Sequence, residues 1–215
     1  MNKHSLLILL TILALAAAFM IACDTDDSEV GGVEASDDDD STGDFPGSNE
    51  CGAYGDSGCN DSDDRACESA ALCNMERFDH PEESDCAPNL QWSDELAAVA
   101  KAHSKDMCDR DFFDHYNPDN QSPFDRMEDA GISFVAAGEN IAMGTNLTSE
   151  MANDLWMDEP ICEQNHRSNI LSRFFTHIGV GLYDCGGDVY ITQDFATFNF
   201  SDLPDGDHSY CGPGF

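Results

Sequence analysis

The chain is predicted to adopt an α+β fold, and three observations carry the prediction. Apolar residues recur at helical spacing in separate blocks from Arg65 to about Glu159. Strict alternation appears near the end, from Ile178 to Phe195. The two patterns do not interleave as strand–helix–strand units, which argues against a doubly wound parallel sheet.

The elements follow in order. From Arg65 to Phe78, Ala66, Cys67, Ala70, Ala71, Cys73 and Met75 recur at the spacing of a helix. His80-Pro81 stops it, because the residue before a proline is pushed out of the helical region. Cys86 to Leu90 reads as a loop. Ser93 caps a second helix, with Asp94 and Glu95 in a first turn that favours negative charge. Leu96, Val99, Ala100, His103 and Met107 share one stripe, so His103 is expected to be a packed, hydrogen-bonded core residue rather than a ligand. Phe112 to Gln121 is an extended segment and loop carrying His115. Ser122-Pro123 opens the next helix, serine as its cap and proline at its first position, and Gly131 ends it.

Gly138 to Ala142 is extended and carries Glu139. Thr148 or Ser149 opens a fourth helix that ends at Glu159-Pro160, with Met151, Ala152 and Leu155 expected to face inward. His166 to Leu171 is a short helical turn. Ile178, Val180 and Leu182 then alternate with Gly179, Gly181 and Tyr183, and Val189 to Phe195 is the partner strand across a turn at Gly186-Gly187. Glycines inside the first of these strands predict close contact with the backbone of a neighbouring layer.

Composition bounds the function. The net charge is −34, which excludes nucleic acid as a partner, because a phosphate backbone needs a basic face. It also excludes electrostatic adsorption to anionic lipid. The acid is uneven: Asp24 to Asp64 holds no Lys or Arg, and Asp37 to Asp40 is an unbroken aspartate run. That density of like charge cannot bury enough apolar surface to offset the entropy of ordering. Residues 23–50 are therefore read as an acidic disordered tether. The aspartate run lacks the spaced ligands and glycine of a calcium loop. Residues 51–64 read as a Cys/Asp-rich, disulfide-held loop at the domain edge, and 65–215 as one domain of ordinary size.

Residues 1–22 read as an export signal: Lys3 and His4 precede an apolar run from Leu6 to Ala22. Cys23 stands where a bacterial lipoprotein signal places its lipidated cysteine, so Cys23 is the expected lipid anchor. The rival reading is an uncleaved membrane anchor. Either places the domain outside the cytoplasm, on a membrane. With Cys23 set aside, nine of the ten cysteines remain. In a small exported domain these read as disulfides rather than a metal cluster, and the odd count leaves one thiol free or paired between chains.

Three blocks carry the chemistry: Phe112 to His115, Gly138 to Ala142, and Trp156 to Leu171. With Leu90 to Ala97, His103 to Met107, Ser122 to Arg126, His177 to Gly181 and Gln193 to Ala196, they resemble, in order, a bacterial member of the CAP superfamily. This superfamily of cysteine-rich secretory proteins, antigen 5 and pathogenesis-related 1 is also called the SCP domain. The resemblance implies an α-β-α sandwich whose central antiparallel sheet is flanked by helices. It also implies a cleft tetrad of His115, Glu139, Glu159 and His166, in which the histidines hold a metal, often zinc, and the glutamates bind water or steer the imidazoles. Arg126, Asn140, Arg167 and Asn169 recur in the family's motifs and read as structural, tying loops to backbone. His177 reads as a rim or packing residue.

The residue types agree independently. Two imidazoles are an incomplete zinc set that leaves positions open for water or ligand. Affinity should fall in acid, because a protonated imidazole cannot ligate. The stretch Ile161 to Asn165 lengthens the segment before His166 and contains Cys162. No Gly-x-Ser-x-Gly, His-Glu-x-x-His or phosphate loop occurs, and nothing gives Ser168 a base or an oxyanion hole. The preferred function is a non-enzymatic, membrane-anchored module that binds an apolar ligand (a sterol or lipid) or an envelope or protein partner. The alternative is a metal-assisted hydrolase of peptide or cell wall, with Glu139 or Glu159 as general base. A purely adhesive surface protein is the third reading.

Overall fold

The computed structural model describes residues 54–161 and 163–204. The export signal, Cys23 and the tether lie outside these residues, as do Cys51, Cys162 and Cys211.

Helix α1 is Asp64–Asp79, and a short helix α2, Pro81–Ser84, follows the proline stop. Asp63 caps α1, accepting from the Arg65 amide at 3.1 Å. Strand β1, Gln91–Trp92, leads into α3, Asp94–Arg110. Ser93 caps α3, and its stripe of Leu96, Val99, Ala100, His103 and Met107 is buried. Helix α4 is Pro123–Asp129, opened by a capping box between Ser122 and Asp125. Strand β2, Ala136–Thr145, leads to α5, Ser149–Met157, and α6, His166–Leu171. Strands β3, His177–Cys185, and β4, Asp188–Thr197, close the fold with a 3-10 turn at Phe200–Asp202.

The sheet order is β1-β3-β4-β2. The three long strands are antiparallel, and β1 adds a two-residue parallel edge beside β3. Alternation in β4 shows why helices cover both faces. Gln193 reaches Ser69 and Cys73 on α1, whereas its neighbour Thr192 meets Ser104 on α3. In β3 the split repeats. Ile178, Val180 and Leu182 pack with Ala66, Ala70 and Cys73 of α1. Gly179 and Gly181 lie against α3, where a methyl would collide with the backbone at Leu96–Ala97 and at Ala100–Lys101. The expected approach of a neighbouring layer is thus the seating of α3 on the sheet, and the predicted sandwich is the observed fold.

The strand Gln91–Trp92 lies between the expected loop and the Ser93 cap and is too short to show alternation. One local expectation needs correction. Met151 and Leu155 do not face inward on α5: they are 49% and 62% exposed. The buried stripe is Ser149, Ala152, Asn153 and Trp156. Two of its members are polar but bonded, Ser149 to the Arg65 carbonyl at 2.8 Å and Asn153 to Glu76 at 2.6 Å. Hydrophobicity alone therefore selects the wrong phase of this helix.

Disulfides Cys59–Cys67 and Cys108–Cys185 are formed, and Cys86 is also disulfide-bonded. Cys73 is free and buried, with its thiol pushed up to about 12 by desolvation. Arg77 is a buried cation that bonds four carbonyls, those of Ile170, Pro88, Phe175 and Ser172, and so fixes the segment that follows α6.

Candidate functional site

The four tetrad residues meet as two matched pairs. His115 Nδ1 lies 2.7 Å from Glu139 Oε1, and His166 Nδ1 lies 2.6 Å from Glu159 Oε1. The two imidazoles face each other, with ring centroids 6.3 Å apart and planes 30° from parallel. A carboxylate accepts, so each Nδ1 carries its ring's hydrogen and Nε2 is the lone-pair nitrogen of the neutral ring.

Each position has a local cause. Glu139 lies on β2, with its side chain only 1% exposed, and its second oxygen pairs with Arg126 of α4. Arg126 also donates to the carbonyls of His115 at 2.7 Å and Gln121 at 3.2 Å, so one guanidinium ties the His115 loop to the strand carrying its carboxylate. Glu159 follows α5 and grips His166 twice, at the ring and, through its other oxygen, at the backbone amide at 2.8 Å. Asn165 caps α6 in a reciprocal pair with Ser168. The Ser168 hydroxyl donates to the Asn165 carbonyl at 2.7 Å, which makes it a capping group and not a nucleophile. Asn169 donates to the Glu139 carbonyl, and Asn140 to the His166 carbonyl, each at 3.2 Å. These two amides clasp α6 onto β2 and bring the second pair to the first. The Trp156 ring stands 6.0 Å from that of His166.

With a carboxylate on each Nδ1, Nε2 is the nitrogen through which His115 and His166 could hold a divalent ion. Among the described residues, no group of three or more His, Cys, Asp or Glu side chains is arranged to hold a metal. Such an ion would rest on His115 and His166, with its remaining positions left to water or a ligand.

Other residues fall as follows. His103 is buried, as expected, with Nε2 3.1 Å from the Asp114 carbonyl; burial pulls its pKa down, and its Nδ1 has no partner. His177 packs on Phe198, ring centroids 4.5 Å apart. Arg167 holds Glu83 and the Met157 carbonyl, as a structural residue should. Sequence reasoning missed the ion pair of Arg126 with Glu139 and the burial of Asp194. Asp194 sits on β4 in register with Glu139, fully buried, and neither carboxyl oxygen has a donor. A carboxylate next to Phe195 in the middle of a strand, far from either turn, was the available signal. A groove of ≈ 510 Å³ lies beyond Arg126, walled by Ala98, Val99 and Ala102 of α3 and by Ala130.

Comparison with known proteins identifies a family. The profile of the CAP family, the cysteine-rich secretory protein family, matches residues 70–200. YkwD of Bacillus subtilis (strain 168) is 45% identical over 97 residues, covering 45% of this chain and 36% of that protein. The membrane protein YlbC of the same organism is 34% identical over 106 residues, covering 49% of this chain and 28% of that protein. The chain therefore spans about a third of the length of these relatives. Among solved structures, an outer surface protein from Borrelia burgdorferi superposes with a TM-score of 0.52 at 16% identity, covering 65% of this chain and 97% of that one. That likeness is one of fold.

Proposed function

Because this chain belongs to the CAP family of cysteine-rich secretory proteins, we propose that it is an exported, membrane-anchored binding module whose two-histidine cleft takes a divalent metal. One observation carries the preference for binding over catalysis: both glutamates are engaged. Glu139 is enclosed between His115 and Arg126, and Glu159 spans the ring and amide of His166. Glu139 is shut away from solvent, and each oxygen of the part-exposed Glu159 already accepts a hydrogen bond from His166, whereas a general base must reach the proton of water. A bound ion would supply Lewis-acidic positions to a donor atom of a ligand. His115 and His166 would hold it, with the glutamates fixing the rings.

Export and anchoring rest on the apolar run from Leu6 to Ala22 and on Cys23. They gain support from a relative named as a membrane protein and from a fold neighbour named as an outer surface protein. The groove beside Arg126 offers a sterol or acyl chain one small apolar wall, Ala98, Val99, Ala102 and Ala130, rimmed by Glu95, Gln121 and Asp129, and Arg126 links it to Glu139. A protein partner at the envelope is the other occupant class.

Metal-assisted hydrolysis is the second reading, favoured by the 28% exposure of the Glu159 side chain, which leaves that carboxylate within reach of solvent. Zinc-loaded full-length protein tested on peptide and peptidoglycan panels separates the two. The binding reading expects no turnover. Sustained zinc-dependent turnover, lost on Glu139→Ala, would overturn it.

A further inference from the structure

Behind the tetrad lies a closed layer of polar groups that the binding reading does not use. Asp194 is fully buried on β4. Across the ladder it stands in register with Glu139 on β2, whose buried carboxylate acts on it, and on its other side β3 offers only Gly179. The charged group reaching it from α4 is Arg126. On α3, His103 is the nearby ionisable side chain, and its ring feels Glu139 and Arg126. With Nε2 given to the Asp114 carbonyl and burial disfavouring its charged form, His103 adds no positive charge to the layer.

The charge count decides the protonation. One guanidinium stands against two carboxyl groups in a space closed to water. Arg126 pairs with Glu139, whose oxygens also serve His115, and its one unused donor nitrogen, the buried Nε, makes no bond to Asp194. A second anion there would be buried, unpaired and beside a like charge, which costs far more than keeping a proton. An ionised Asp194 would also be left with neither oxygen bonded, whereas a protonated one has a donor to give and Glu139 as its acceptor.

We infer that Asp194 is the positioning residue of this site: as a neutral carboxylic acid it donates a hydrogen bond to Glu139 and holds that carboxylate on His115 Nδ1. Glu139 then accepts from three sides, from Asp194, Arg126 and His115. Its oxygens have the lone pairs to do so. The His115 tautomer is thereby set at one remove, through Glu139.

Burial and the Glu139 charge both push the Asp194 pKa up, in that order. The stability consequence has a definite sign. Above the unfolded pKa near 3.8, the unfolded chain releases this proton while the native protein keeps it. Folding is therefore weakened as pH rises toward the native pKa, by about tenfold in its equilibrium constant per pH unit. Asp194→Asn lacks that loss.

The test uses metal-free, full-length protein, so its outcome is independent of whether a metal binds. Infrared difference spectra of wild type against Asp194→Asn at pH 7 should show the carbonyl band of an un-ionised acid in wild type alone. Nitrogen NMR should show His115 locked as the Nδ1–H tautomer in wild type. Asp194→Asn, whose amide can still donate, should keep it locked, and Asp194→Val should release it to a mixture. Absence of the acid band from wild type overturns the inference. So does a His115 tautomer that is unchanged in Asp194→Val, or one that is lost equally in Asp194→Asn. If Asp194→Val does not fold, the band and the Asn variant decide the matter.

Discussion

Glu139 does three jobs with one side chain, which makes it the residue whose loss should be felt furthest. It orients His115, neutralises Arg126 and closes the buried layer in front of Asp194. Glu139→Gln keeps the size but weakens the grip on Nδ1, and calorimetry should find zinc affinity reduced about 10- to 100-fold, as for other partners that orient metal-binding histidines. Arg77 is a purely structural counterpart. Removing a buried guanidinium takes a donor from each of four carbonyls, so Arg77→Leu should cost about 3 kcal/mol or more in urea unfolding. At His103, burial holds the pKa below its ordinary value, so the unfolded chain takes up that proton first as pH falls. That contribution to stability is therefore lost below about pH 6.5. His103→Gln should remove it from the unfolding free energy between pH 7 and 5, leaving the slope of His177, which burial also lowers, and the opposite slope of Asp194.

At the scale of elements, legibility followed chemistry that repeats. The α3 stripe could be read because five buried positions are spaced by turns of the helix, and its start because Ser93 caps it. Strand β3 could be read because its apolar residues alternate with glycines, and the glycines announced a close neighbouring layer, which the structure identifies as α3. Gly181→Ala places a methyl in the backbone of Lys101, which cannot yield as a flexible side chain would; a cost of about 1–3 kcal/mol, read by denaturant melts, is expected. Helix α5 was misread because its inner face mixes Trp156 and Ala152 with Ser149 and Asn153, whose partners come from α1. Polar residues satisfied by distant contacts look like surface until the contact is known. The same reason hid Asp194, which can be placed beside Glu139 only once the β2–β4 register is fixed.

Across the molecule, the cleft is built from parts far apart in sequence, and covalent and polar ties hold them in place. The Cys108–Cys185 disulfide closes a separation of 77 residues, joining the end of α3 to the end of β3 near the loop that carries His115. Replacing both with serine should lower stability by about 4 kcal/mol in thermal or urea unfolding. The tetrad itself was legible as four residues in family motifs, and the fold brings all four together. Its pairing was not legible, because nothing in a linear sequence says that Glu139 serves His115 while Glu159 serves His166. That pairing bears most directly on the reading of the cleft as a two-histidine metal site. It is tested by zinc calorimetry on the full-length oxidised protein beside the His115→Ala/His166→Ala double variant. The account predicts one zinc per chain in the wild type, weakening as pH falls, and none in the double variant. No binding by the wild type, or binding that the double variant keeps, would contradict it.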